Sequence, residues 1–110
     1  MLFLVELDHV KQTAPTTPEA GRAFIEHIIF PTIARAEQLM AEKKIAGGGV
    51  VVGRIALRLL VEAESSGQVD QMISSLPLWP AAETRVTPLI AFSERRQHVQ
   101  QLLETLRARP

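Results

Sequence analysis

Glu6, Arg54 and Arg58 are the residues of this 110-residue chain whose types and spacing suit chemistry. A carboxylate beside a carbon acid takes its proton as a general base, and a guanidinium holds the enolate that develops. Arginine's planar fork also fits the carboxylate of an acidic ligand. To act together, the three must meet on one side of a sheet, and the two-residue period of a strand allows it. "LFLVELD", residues 2 to 8, sets Phe3, Val5 and Leu7 on one side and Leu2, Leu4, Glu6 and Asp8 on the other. A strand from Arg54 to Ala63 sets Ile55, Leu57, Leu59, Val61 and Ala63 against Arg54, Ala56, Arg58, Leu60 and Glu62. The plainer alternative is that these charges simply pair, across the sheet or between copies of the chain.

Other polar residues carry weaker signals. His9 follows Asp8, a His–carboxylate arrangement suited to acid/base work or ligand binding, but neighbours on a strand point apart, which favours a surface turn. His27 and His98 have no second ligand three or four residues further along the chain, so no metal site is expected. Gly47, Gly48 and Gly49 match neither a dinucleotide fingerprint nor a phosphate loop, since Lys44 precedes them. A hairpin, a bulge or a close backbone approach is the expected use.

The elements that would position these residues follow from periodicity. Thr17, Pro18 and Glu19 mark a helix start. Phe24, Ile25, Ile28, Ile29, Ile33, Ala36 and Met40 give it one apolar stripe to about Lys43, with a kink or break expected at Phe30, before Pro31. Two strands follow from Ile45 to Ala63. Ser65 and Gln68 form a capping box for a helix carrying Val69, Met72, Ile73 and Leu76, which Pro77 ends. "AAETRVTPLIAF" alternates Ala82, Thr84 and Val86 against Glu83, Arg85 and Thr87, and Pro88 confines it to an edge or a strand end. Ser93 caps a last helix, about 93 to 108, whose stripe is Val99, Leu102, Leu103 and Leu106.

The order β-α-β-β-α-β plus a C-terminal helix predicts a ferredoxin-like α+β domain spanning 1 to 110, with both helices on one face of a four-stranded antiparallel sheet. Its other face would carry Leu2, Leu4, Ala56 and Leu60 beside Glu6, Arg54 and Arg58, too apolar for water and too charged for a dry core. A second copy covering it would make a dimeric α+β barrel around a cavity. Twelve basic and twelve acidic residues leave no global field, so a nucleic acid partner is not expected. No stretch approaches the roughly 20 apolar residues that span a bilayer. The absence of cysteine excludes disulfides and thiolate chemistry, and a cytoplasmic location fits best.

"SSLPLWPAAE", residues 74 to 83, is stiff and apolar where connectors are usually polar. Trp79, held between prolines, is either a wall of a ligand pocket or an oligomer contact. The chain resembles the muconolactone isomerase family in "MLF" at its start, in Gly53 before the third strand, and in "LPLWP", residues 76 to 80, where the family reads Leu-Pro-Leu-Phe-Pro. It departs at Leu4, where the family tends to have histidine, and at Arg54 and Ile55, where it has His-Tyr. The resemblance implies a homo-oligomeric α+β barrel moving a proton on a small acidic lactone or cyclic compound of aromatic catabolism, without metal or cofactor. Glu6, Arg54 and Arg58 would be catalytic there, and Leu4, His9 and Trp79 would bind ligand. A non-catalytic small-molecule-binding member and a structural oligomerisation module are the alternatives.

Overall fold

The computed structural model describes residues 1–11 and 14–109, so Gln12 and Thr13, the start of the turn-rich stretch after the first strand, lie outside the described residues. Strand β1 (Leu2–His9) is central, pairing antiparallel with β3 (Ala56–Glu62) on one side and β4 (Ala82–Leu89) on the other. Strand β2 (Ile45–Val50) completes a sheet of order β2-β3-β1-β4, the ferredoxin-like arrangement. Helices α1 (Pro18–Phe24), α2 (Phe30–Ala41) and α3 (Ser66–Ser74) cover one face.

The core lies between that face and those helices. Phe3, Val5 and Leu7 meet Leu57, Leu59 and Val61 from the sheet, Leu39 from α2, and Val69 and Ile73 from α3, all 6% exposed or less. Burying each large aliphatic side chain contributes about 1.5–3 kcal/mol. The other side chains of β1, Leu2, Leu4, Glu6 and Asp8, stay partly exposed on the uncovered face, as the alternation predicts.

Of the kink or break expected at Phe30, the break does not occur: Phe30 keeps helical dihedrals (φ −62°, ψ −44°). Instead Ile25–Ile29 widens into a π-helical turn in which the Phe30 N–H donates to the Ile25 carbonyl. Proline has no N–H and its ring crowds the carbonyl four residues back, and a wider turn just before it relieves that conflict. The extra residue also rotates the apolar stripe. Phe24, Ile28 and Ala36 contact the core and Leu39 is buried, whereas Ile25, Ile33 and Met40, expected in the stripe, are exposed.

Two boundaries move as well. Strand β3 begins at Ala56 rather than Arg54, because Gly53 (φ 82°) turns the chain and the Arg54 N–H donates to the Val51 carbonyl. Ile55, expected under the helices, is therefore exposed. Helix α4 (Phe92–Ala108) begins one residue before Ser93, with Ala91 as N-cap and no side-chain cap. None of its residues is buried, and the molecule reaches 71 Å in its longest dimension. Its radius of gyration is 18.8 Å, against roughly 13 Å for a compact chain of this length. No described helix is long and apolar enough to cross a membrane.

The proline-rich connector is bound to α2. Leu76 and Leu78 are core residues, and the Leu78 N–H donates to Thr32 Oγ1 at 3.0 Å. Arg35 Nε donates to Ser75 Oγ at 3.2 Å. Trp79 lies in a 3₁₀ turn (Trp79–Ala81) and is half exposed. Thr32→Val preserves the shape of the only buried polar side chain among the described residues but leaves the Leu78 N–H unpaired. Urea unfolding is expected to show a loss of about 1–3 kcal/mol.

Candidate functional site

Side chains of directly opposed residues on neighbouring strands leave the sheet on the same face, with Cβ atoms about 4.5–5.5 Å apart. Glu6 is paired with Arg58 on β3 and with Arg85 on β4, so the uncovered face carries a row Arg58, Glu6, Arg85. One step towards the end of β1 the row is Ala56, Asp8, Glu83, and one step back it is Leu60, Leu4, Thr87. A carboxylate between two guanidinium-bearing strands is thus flanked by an apolar row on one side and an acidic row on the other.

These side chains line an open cavity of about 520 Å³, formed by Glu6, Asp8, Arg54, Arg58, Glu83, Thr84 and Arg85. Asp8 organises its arginines. Its Oδ1 accepts hydrogen bonds from Arg54 Nη2 and, at 3.2 Å, from Arg58 Nη2. Arg58 Nη1 donates to the Leu57 carbonyl at 2.9 Å, so one N–H at each end of that guanidinium is engaged, which aims the group and leaves its remaining N–H donors available. The side chains of Arg54 and Arg58 are 57% and 34% exposed. At such exposure an ion pair contributes only about 0–1 kcal/mol, and its effect is to orient rather than to stabilise. Glu6 makes no ion pair or hydrogen bond among the described residues.

Glu6, Arg54 and Arg58 share this cavity, although Arg54 enters from the β2–β3 turn rather than from a strand. Leu4 adjoins it, one row back on the same face. His9 does not line this cavity: its side chain leaves the opposite face of β1 from Asp8, its ring centroid is 5.0 Å from that of Phe24, and it borders an adjoining pocket that Asp8 and Arg54 also line. Trp79 does not line the cavity either. Four of its residues, Asp8, Glu83, Thr84 and Arg85, were missed as candidates. Asp8 was legible in the strand parity that placed Glu6, whereas Arg85 and Glu83 needed the β1–β4 register, which no single strand encodes.

Backbone packing fixes where Arg58 sits. Strand β2 shifts register between Ile45 and Gly47, and Gly48 adopts φ 133° against β3. A Cβ at Gly48 would collide with the Arg58 carbonyl oxygen, so the glycine run is both a bulge and a close approach.

A profile of the muconolactone delta-isomerase family matches residues 1–95. Among solved structures, a muconolactone isomerase is 22% identical with a TM-score of 0.68, the match covering 83% of this chain and 90% of that one. The 5-chloro-2-hydroxyhydroquinone dehydrochlorinase of Burkholderia phenoliruptrix AC1100, solved with 2,5-dihydroxybenzoquinone, is 24% identical with a TM-score of 0.61, covering 86% of this chain and 98% of that one. No curated protein matches the sequence significantly. Both structural likenesses confirm the α+β architecture; α4 lies almost wholly beyond the region that the family profile covers.

Gly48→Ala is expected to cost more than about 1 kcal/mol in chemical denaturation and to displace the Arg58 amide resonance. Gly49→Ala, where an added Cβ meets nothing within 4 Å, should stay within about 0.5 kcal/mol of the parent.

Proposed function

The chain belongs to the muconolactone delta-isomerase family, and from that membership we propose that it catalyses proton transfer on a small acidic lactone or cyclic compound of aromatic catabolism, in the cytoplasm. The observation that carries the reading is Glu6: an unpartnered carboxylate set by register between Arg58 and Arg85 on the uncovered face. Glu6 takes a proton from a carbon next to an unsaturated carbonyl system, the C–H electron pair passes into the conjugated system, and the oxygen gains negative charge. Arg58, aimed by Asp8 and the Leu57 carbonyl, stabilises that oxygen without having to reorganise. Protonated Glu6 then returns the proton at another carbon of the system, so the double bond shifts and the carboxylate is regenerated. A quinone-type ring bound to the dehydrochlorinase fits the same expectation of a small, planar, oxygenated ligand.

The assembly is a homodimer or larger ring of this chain. A second sheet over Leu4 and Leu60 removes apolar surface from water and encloses the charged row, which strengthens its electrostatics as water leaves. Helix α4 lends support, since Val99, Leu102, Leu103 and Leu106 are each at least 40% exposed and the helix has no buried residue.

Glu6→Gln is expected to reduce turnover of muconolactone by about 10²–10⁴-fold with circular dichroism unchanged, while His9→Gln retains most activity. Equal losses in both variants would remove Glu6 from the role of base. Light scattering should report a dimer or larger at micromolar concentration, and a well-folded single chain would refute the enclosed cavity.

A further inference from the structure

The site holds three arginines, and they are not equivalent. Asp8 binds Arg54 and Arg58 through one carboxylate oxygen, and the Leu57 carbonyl engages one N–H at the other end of Arg58, so Arg58 is held in one orientation with only part of its donors free. Arg85 lies in register with Glu6 across β1–β4, lines the same cavity, and makes no ion pair or hydrogen bond among the described residues. Its strand is one of the two outer strands of the sheet, with side chains that are mostly exposed. Glu83, two residues earlier on the same face, stands opposite Asp8 rather than opposite Glu6.

We infer that Arg85 is the specificity residue of the site, receiving the carboxylate of the substrate in a two-pronged hydrogen bond while Asp8 reserves Arg58 for the reacting oxygen. This assignment rests on the proposed role of Glu6 as base. An anionic substrate approaching Glu6 meets a like charge, and among the described residues Arg85 is the guanidinium that faces Glu6 with all its donors uncommitted. One interstrand spacing separates base and anion site, so a single small molecule spans them. Arginine's planar fork matches a carboxylate with two parallel N–H donors, which a lysine ammonium cannot reproduce. The expected preference is for acids over their neutral esters.

The test uses the full-length assembled protein with levulinate as probe and methyl levulinate as its uncharged counterpart, both followed by NMR titration. Wild type should bind levulinate more tightly than the ester, with the Arg85 guanidinium signal shifting. Arg85→Gln should weaken levulinate binding about 10- to 100-fold and leave the ester unaffected. Arg85→Lys should recover only part of the loss. If Arg85→Gln proves unfolded, the Arg85→Lys and wild-type arms still decide. Unchanged acid binding in either folded variant, or no preference of wild type for the acid, overturns the assignment. With muconolactone as substrate, Arg85→Gln should raise KM more than it lowers kcat. Arginine-dependent levulinate binding by a wild type that does not turn over muconolactone would instead refute the isomerase reading and leave Arg85 as the anion site.

Discussion

Strand β1 is paired on both edges, and that double pairing governs everything chemical in this molecule. Its alternation commits Phe3, Val5 and Leu7 to the core at 3% exposure or less, and so commits Leu4, Glu6 and Asp8 to the opposite face. A slip of one residue would bury two carboxylates and expose three large apolar groups, a cost far beyond the marginal stability of a domain this size. The hydrophobic residues of β1 thereby fix the position of the acidic ones. The register with β3 and β4 then brings one arginine to each side of Glu6 without a loop having to place either.

What the sequence showed and what it hid follow from this division. Alternation belongs to one strand, so the faces of β1 and the buried set Leu57, Leu59 and Val61 could be read directly from spacing. Arg54 obeyed the same spacing but lies in a turn, because the left-handed conformation of Gly53 ends the alternation before β3 begins. The π turn before Pro31 added one residue to a helix whose period had been counted at 3.6, which rotated Ile33 and Met40 out of the core stripe. Arg85 was visible as an arginine on an edge strand. Its pairing with Glu6 was not, since register between strands 79 residues apart depends on the whole topology. The family resemblance at "LPLWP" succeeded for a physical reason: Leu76 and Leu78 are core residues and the prolines restrict the chain between them, so the pentapeptide is a packing unit tied to α2 through Thr32.

The glycine run illustrates how fold and site share one constraint. Gly48 lies so close to the Arg58 carbonyl that no side chain fits, while Gly49 and Gly47 oppose Arg58 and Leu60 on the uncovered face without adding any bulk of their own. Strand β2 is therefore a backbone wall at the arginine side of the row. Space that side chains would have filled stays open next to Arg58, where a ligand's oxygen is proposed to bind.

Solvent sets how strongly this arrangement acts. Two unit charges 5 Å apart interact by about 0.8 kcal/mol in water but by about 3 kcal/mol at an effective dielectric constant of 20. On an open face the row Arg58, Glu6, Arg85 is little more than a patterned surface, and Asp8 holds its two arginines only weakly. Under a second sheet the same geometry becomes a preorganised field, and the clamp on Arg58 stiffens at the moment water is displaced. The partly exposed leucines at positions 4 and 60 supply the apolar contact that favours such closure, one row away from the charges it would strengthen. Greasy and charged rows side by side are thus two halves of one proposed device: in a dimer the first would drive the covering of the face, and the covering would strengthen the second for the proton transfer proposed.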